Sequence, residues 1–224
     1  GGTALAADIQ PEGPSGLTDQ TGATAKQFMV AAANPHAAGA GYDILKSGGN
    51  AIDAAVAVQM VLNLVEPQSS GIGGGAFLVY WDAATGQLTT YDGRETAPAA
   101  AGPDYFLKPD GNRKGFWEAV NGAGSVGVPG TVALLDMAHE AHGSLPWPDL
   151  FQPAIRMARD GFEISPRLGG AIARAAERGL PDQKSGSGDY FFNSDGSPKS
   201  SGTMLRNPAF ANSLETIAAG GATA

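Results

Sequence analysis

The secondary structure of this chain is decided by residues 50–98, which read NAIDAAVAVQMVLNLVEPQSSGIGGGAFLVYWDAATGQLTTYDGRETAP. Residues 51–65 are apolar on nearly every side of a helix, a pattern typical of a buried helix rather than a surface helix. Residues 76–81 and 87–92, separated by a short turn, predict a β-hairpin. Because the helix is rich in alanine, it can lie flat against a sheet, and the stretch indicates a mixed fold of helices and strands.

Further helices flank this stretch on both sides. Asn34 and Pro35 provide an N-cap and a first-turn proline for a helix that ends at Gly48 and Gly49, and Asn50 starts the buried helix directly afterwards. In the second half of the chain, proline, serine and glycine boundaries predict helices over residues 130–142, 150–159, 165–178 and 208–219.

The remaining segments are read as irregular. Residues 1–26, rich in Gly, Pro, Ser and Thr without periodicity, predict a flexible N-terminal arm. Residues 183–202 are polar and predict a long loop. No shift in composition divides residues 27–224 into independent domains.

Composition excludes several classes of protein. The 224 residues are 42% hydrophobic, yet no apolar run approaches the roughly 20 residues that a membrane span requires. With 14 basic against 22 acidic residues, a net charge of -8 disfavours nucleic acid as a partner. Since the chain has no cysteine, its chemistry must use hydroxyls, carboxylates, arginine or backbone amides.

The glycine-rich segment 71–76 fits the dinucleotide pattern G-x-G-x-x-G/A in letters only. That fingerprint needs a strand before the glycines and a helix after them, whereas here a helix precedes and a strand follows. We therefore expect no nucleotide cofactor. Gly73 and Gly74 are instead expected to adopt conformations or make close contacts that a β-branched side chain cannot accept.

Two other motifs favour structural roles. Ser125 lies in a segment one glycine short of a nucleophile elbow and has no suitably spaced acid and histidine, so a turn serine is the favoured interpretation. His139 and His142 have a spacing that can hold a metal, but no third ligand lies near them in sequence. A solvated helix face is favoured for them, and no metal site is expected.

Arg94 is the candidate binding residue. A permanently charged guanidinium at the end of a predicted strand, shortly after a glycine loop, is suited to hold a carboxylate through two parallel hydrogen bonds. An ordinary ion pair with Asp92 or Glu95 fits the same spacing, and the residues alone leave both interpretations open.

Several ordered blocks of this sequence resemble the gamma-glutamyltransferase family, also called gamma-glutamyl transpeptidase or glutathione hydrolase. The blocks are NPHAAG at 34–39, GGNAIDAAVA at 48–57, EPQSSGIGGGAF at 66–77, DGRETAP at 92–98, GVPGT at 127–131 and LPW at 145–147. The resemblance implies an α+β fold, a four-layer αββα sandwich of the N-terminal nucleophile hydrolase type. It also implies that residues 27–224 are part of the large subunit. A second chain, the small subunit cut from the same precursor, would complete the sandwich.

The resemblance further implies γ-glutamyl transfer and hydrolysis. A γ-glutamyl donor such as glutathione would acylate the N-terminal threonine of the small subunit, and an amino acid, a dipeptide or water would accept the glutamyl group. This chain would then contain no catalytic residue, and Arg94 would bind the α-carboxylate of the donor. A related acylase, a poly-γ-glutamate-cleaving enzyme and a non-catalytic scaffold are the alternatives.

Two expectations concern the whole protein. Ala4-Leu5-Ala6 is similar to the end of a cleaved signal peptide, and with the family it predicts a periplasmic or secreted protein, although an alanine-rich tail also fits. The chain by itself is expected to be inert and incompletely folded, with Val56, Val58, Met60 and Leu62 of the apolar helix partly uncovered.

Overall fold

The computed structural model describes residues 22–179 and 186–223. Its elements, in chain order, are α1 (Pro35–Lys46), α2 (Ala51–Val65), β1 (Ala76–Asp82), β2 (Gln87–Gly93), α3 (Phe116–Val120), α4 (Thr131–His142), α5 (Trp147–Asp160), β3 (Phe162–Glu163), α6 (Pro166–Glu177), α7 (Gly186–Phe191), β4 (Met204–Leu205) and α8 (Pro208–Gly220). The expected order of two helices, a hairpin and further helices is therefore confirmed. Residues 1–21 of the predicted arm lie outside the described residues.

The junction between α1 and α2 forms because of local side-chain contacts. The Asn34 side chain accepts a hydrogen bond from the backbone N–H of His36 at 3.0 Å, and Gly48 ends α1 with a φ of 98°. Asn50 accepts from the backbone N–H of Asp53 at 3.1 Å, while the Asp53 carboxylate accepts from the backbone N–H of Asn50 at 2.9 Å. This reciprocal capping box fixes where α2 begins.

Helix α2 lies at the centre of the core. Val56 and Met60 are fully buried, since α1 covers one side of the helix and α5 another. The expectation that these two side chains lack part of their covering is therefore wrong, whereas Val58 and Leu62 are half-buried. Helix α5 also packs against α8, and this contact extends a single apolar core across the helices.

The hairpin has one covered face and one exposed face. Antiparallel pairing places Ala76 opposite Gly93 and Trp81 opposite Leu88. The inward-facing side chains pack against the helical core, with Tyr80 and Tyr91 against α4. On the outward face, more than half of the area is exposed for each of Phe77, Val79, Trp81 and Leu88.

The polar segment before α8 contains a helix that the sequence does not predict. Residues 183–185 of the expected loop lie outside the described residues, but Gly186–Phe191 forms α7. Tyr190 and Phe191 pack their rings against the core, so tertiary packing outweighs the low helix propensity of glycine and serine. The short strands β3, before α7, and β4, after it, are antiparallel and pair Phe162 with Leu205.

The chain divides into two compact units, of which the larger comprises Phe28–Thr96 and Pro129–Ala224. The other unit contains Ala97–Val128, with α3 and a short 3-10 turn. Within it, Lys108 and Glu118 form an ion pair at 3.0 Å. In the part of the chain that the structure describes, no helix is long and apolar enough to cross a membrane.

Candidate functional site

Arg94 is the first residue after the hairpin. Its backbone N–H donates to Oδ1 of Asp92 at 2.9 Å, which turns the chain away from the sheet. Gly93 is buried, while the Arg94 side chain is 69% exposed. The strand therefore anchors the backbone of Arg94 and leaves its guanidinium in solvent.

A close approach of three backbone segments holds this anchor in place. The Gly74 carbonyl accepts hydrogen bonds from the backbone N–H groups of Gly130 and Thr131, at 3.0 and 3.1 Å, at the start of α4. A Cβ built on Gly93 would lie 2.6 Å from Cβ of Leu134 and 2.8 Å from the Gly130 carbonyl oxygen. Only glycine fits such spacing, so the end of β2 is fixed directly against α4.

Glu95 occupies the space beside the glycine loop. Its Oε2 lies 3.3 Å from Nη1 of Arg94, and a Cβ on Gly75 would lie only 2.5 Å from the same oxygen. That oxygen is buried and accepts no hydrogen bond from the described residues. Gly75 thus makes room for the Glu95 carboxylate, which lies at ion-pair distance from the neighbouring guanidinium.

The arrangement combines the two interpretations that the sequence leaves open for Arg94. An ion pair with Glu95 exists, but a pair so exposed contributes only about 0–1 kcal/mol. Glu95 lies at ion-pair distance from Nη1, and Asp92 contacts the backbone rather than the guanidinium. Since the guanidinium carries five N–H donors, it can still hold a carboxylate in two parallel hydrogen bonds.

The tight position in the glycine loop is Gly75, not the two glycines expected from the sequence. A Cβ on Gly73 would meet no heavy atom of the described residues within 4 Å, and one on Gly74 would lie 3.4 Å from the Gly71 carbonyl oxygen. Neither has a positive φ. The expectation for Gly73 and Gly74 is wrong because the crowding comes from Glu95, 20 residues further along, which local sequence does not reveal.

The two histidines of α4 point inward. His139 Nε2 lies 2.8 Å from the Leu145 carbonyl oxygen, and the ring of His142 stacks on Tyr80 with centroids 4.4 Å apart. The predicted solvated face is therefore wrong, because α4 packs this side against the hairpin and the α4–α5 connection. Over residues 22–179 and 186–223, no group of three or more His, Cys, Asp or Glu could hold a metal ion.

Ser125 is a turn serine, as the sequence predicts. Its hydroxyl donates to the Val120 carbonyl oxygen at 2.6 Å within the smaller unit. This hydrogen bond closes the turn after α3, so Ser125 has a structural role there.

The chain is similar to proteins of known name. Residues 37–224 match the family model described as gamma-glutamyltranspeptidase. Over 189 residues the chain is 42% identical to glutathione hydrolase 3 of Arabidopsis thaliana, covering 84% of this chain and 28% of that protein. Over 153 residues it is 46% identical to the glutathione hydrolase proenzyme of Bacillus subtilis strain 168, covering 68% of this chain and 26% of that protein.

A solved structure extends the comparison to the fold. The Helicobacter pylori gamma-glutamyltranspeptidase superposes with a TM-score of 0.83 and 34% identity, over 89% of this chain and 56% of that chain. This similarity confirms the expected α+β fold of the N-terminal nucleophile hydrolase type. The chain spans little more than a quarter of the length of the two curated relatives. Sequence and structure together show that this chain belongs to the gamma-glutamyltranspeptidase family.

Proposed function

We propose that residues 27–224 form part of the large subunit of an enzyme that transfers and hydrolyses γ-glutamyl groups. The donor would be glutathione or a related γ-glutamyl compound, and the acceptor an amino acid, a dipeptide or water. Similar proteins are named glutathione hydrolase and gamma-glutamyltranspeptidase. The observation that carries the proposal is the exposed Arg94 guanidinium, held at the backbone junction beside the glycine loop.

Arg94 binds the α-carboxylate of the donor in this proposal. Two charge-assisted hydrogen bonds, each worth roughly 1.5–3 kcal/mol when shielded from water, would fix the glutamyl end. The γ-carbonyl then lies at a set distance from Arg94, which positions it for attack. Glu95 maintains the orientation of the guanidinium through the contact at 3.3 Å.

The nucleophile is assigned to the N-terminal threonine of a second chain. Its hydroxyl adds to the γ-carbonyl carbon, the proton passes to its own α-amino group, and the amide nitrogen leaves with that proton. The resulting glutamyl ester is then attacked by an acceptor amine or by water, which regenerates the hydroxyl. This chain supplies the carboxylate site and no catalytic residue.

The second chain is also the proposed cover for the hairpin. The outward face of Phe77, Val79, Trp81 and Leu88 is a continuous apolar surface on two paired strands. Such a face is typical of a sheet that packs against another layer. A relative named as a proenzyme supports a small subunit cut from the same precursor as its partner.

We place the protein in the periplasm or outside the cell. The support is the resemblance of Ala4-Leu5-Ala6 to the end of a cleaved signal peptide. These residues lie outside the described part of the chain. Cell fractionation of the native source, with an antibody to this chain, tests the placement.

The substitution Arg94→Lys tests the central claim in the mature two-chain enzyme. Lysine keeps the charge but loses the planar fork, so kcat/KM for γ-glutamyl p-nitroanilide should fall by at least about tenfold. Arg174→Lys, at an exposed arginine of α6, is the matched control and should leave kcat/KM unchanged. If Arg94→Lys cleaves the anilide as the wild type does, Arg94 is only a surface ion-pair residue.

A further inference from the structure

A buried carboxylate, that of Glu66, lies five residues before the first glycine of the glycine-rich segment 71–76. Glu66 directly follows α2 and is 2% exposed. Three donors surround it: the side-chain amides of Asn34 at 3.2 Å and Gln68 at 2.5 Å, and Nη1 of Arg167 from α6. Because a buried carboxylate is costly unless it is paired, each donor contributes to keeping Glu66 in this place.

A second set of polar contacts holds Ser70, the last residue before the glycines. The Gln59 amide donates to the Ser70 hydroxyl at 2.7 Å, and that hydroxyl donates to Oδ1 of Asn63 at 2.6 Å. Both amides project from α2, so the loop is tied back to the helix that precedes it. Side-chain hydrogen bonds therefore determine the path of residues 67–70.

The other end of the loop meets the carboxylate site. The Gly74 carbonyl caps the start of α4, and Gly75 lies against the Glu95 carboxylate, which contacts Arg94. A shift of the loop would therefore move the surface on which Glu95 rests. Side-chain hydrogen bonds hold Glu66, Gln68 and Ser70, and backbone contacts hold Gly74 and Gly75 beside the ion pair of Arg94 and Glu95.

We infer that Glu66 and Arg167 are positioning residues for the Arg94 carboxylate site. Their ion pair links the end of α2 to α6 and holds residues 67–75, and through Gly75 and Glu95 it sets the orientation of the Arg94 guanidinium. The inference rests on the proposed function, since it concerns how the α-carboxylate of the donor is bound.

Arg167 is the residue of the pair suited to a test. Its side chain is 40% exposed, so shortening it opens no cavity in the core. The fully buried Leu168 and the buried Ile172 hold α6 in the core independently of the ion pair. Removing the guanidinium should therefore loosen the loop while leaving the helix in place.

The experiment compares two donors in the mature two-chain enzyme. In Arg167→Met, kcat/KM for γ-glutamyl p-nitroanilide should fall by about two- to thirtyfold, the range for a residue acting through a contiguous network, mainly through a higher KM. The rate with 4-aminobutyryl p-nitroanilide, which lacks the α-carboxylate, should stay unchanged. Arg174→Met on the same helix is the matched control and should affect neither donor.

A double substitution and a milder variant complete the test. In an Arg94→Gln background, Arg167→Met should cause no further loss, because its effect passes through Arg94. Arg167→Gln keeps a donor without the charge and should give a smaller loss in the same direction, which preserves the measurement if Arg167→Met fails to mature.

The outcomes separate this inference from the function on which it rests. If the wild-type enzyme prefers the donor that carries the α-carboxylate and the Arg167 variants keep that full preference, the inference is wrong and the proposed function stands. Equal losses with both donors, or independent losses in the double variant, would also overturn it. A wild-type enzyme that treats the two donors alike would overturn the proposed function, and the inference with it.

Discussion

The substitution Gly93→Ala tests the backbone junction that holds Arg94. The added Cβ would lie 2.6 Å from Cβ of Leu134 and 2.8 Å from the Gly130 carbonyl oxygen. Carbon atoms in protein cores meet at about 3.5–4.0 Å, so α4 or the end of β2 must move away. Since the φ of Gly93 is not positive, alanine can adopt its backbone conformation and the penalty is steric alone.

The expected magnitude follows from two opposing terms. Alanine restricts the unfolded chain, which raises the free energy of unfolding by about 0.4–1 kcal/mol. Overpacking a well-filled site costs about 1–3 kcal/mol, so Gly93→Ala should lower the free energy of unfolding by about 0–2.6 kcal/mol overall, with a central value of about 1.3 kcal/mol. In a domain of this size, the central value lowers the melting temperature by about 3–5 °C.

The assay is a thermal scan of the mature enzyme at a fixed rate, combined with kcat/KM for γ-glutamyl p-nitroanilide. Gly39→Ala is the matched control, because a Cβ on this exposed glycine of α1 would meet no heavy atom of the described residues within 4 Å. It should raise the free energy of unfolding by up to about 1 kcal/mol through helix propensity. A Gly93→Ala enzyme as stable as the Gly39→Ala enzyme, with unchanged kcat/KM, would refute the junction.

Two further predictions concern the hairpin and α7. Val79→Asp on the outward face should prevent the two chains from co-purifying, since the interface loses roughly 1.5–3 kcal/mol of burial and gains a buried charge. Ala83→Asp in the hairpin turn is the control and should leave co-purification unchanged. If the Val79→Asp chain co-purifies with its partner as the wild type does, the face is not covered. Burial raises the pKa of the Tyr190 phenol to about 12. Because the folded state keeps this proton while the unfolded state loses it near pH 10, stability should fall as the pH rises from about 10 to 12. An absorbance titration at 295 nm should show a late step that Tyr190→Phe lacks, and identical titrations of the two proteins would disprove it.

The helices were predictable because their ends depend on neighbouring residues. Asn34 and Asn50 each accept hydrogen bonds from backbone N–H groups two or three residues away, so the signal is contained in the local sequence. The hairpin was predictable for the same reason, since a short turn joins two neighbouring runs that pair in register. Family motifs then indicated Arg94 as the candidate binding residue.

The contacts around that residue were not predictable in the same way. Glu95 against Gly75, and His142 against Tyr80, join residues 20 or more positions apart. The expectation of crowding at Gly73 and Gly74, and that of solvated histidines, failed for this reason. Helix α7 forms because its rings reach the core, a gain that depends on where the other helices lie.

The sequence by itself determined the main helices, the hairpin, the family and the position of Arg94 in the chain. Only the tertiary structure decided which glycine is crowded, which carboxylate forms an ion pair with the guanidinium and how Glu66 and Arg167 meet. The physical reason is range: caps and turns act over three or four residues, whereas close backbone approach and buried ion pairs depend on segments that only folding brings together.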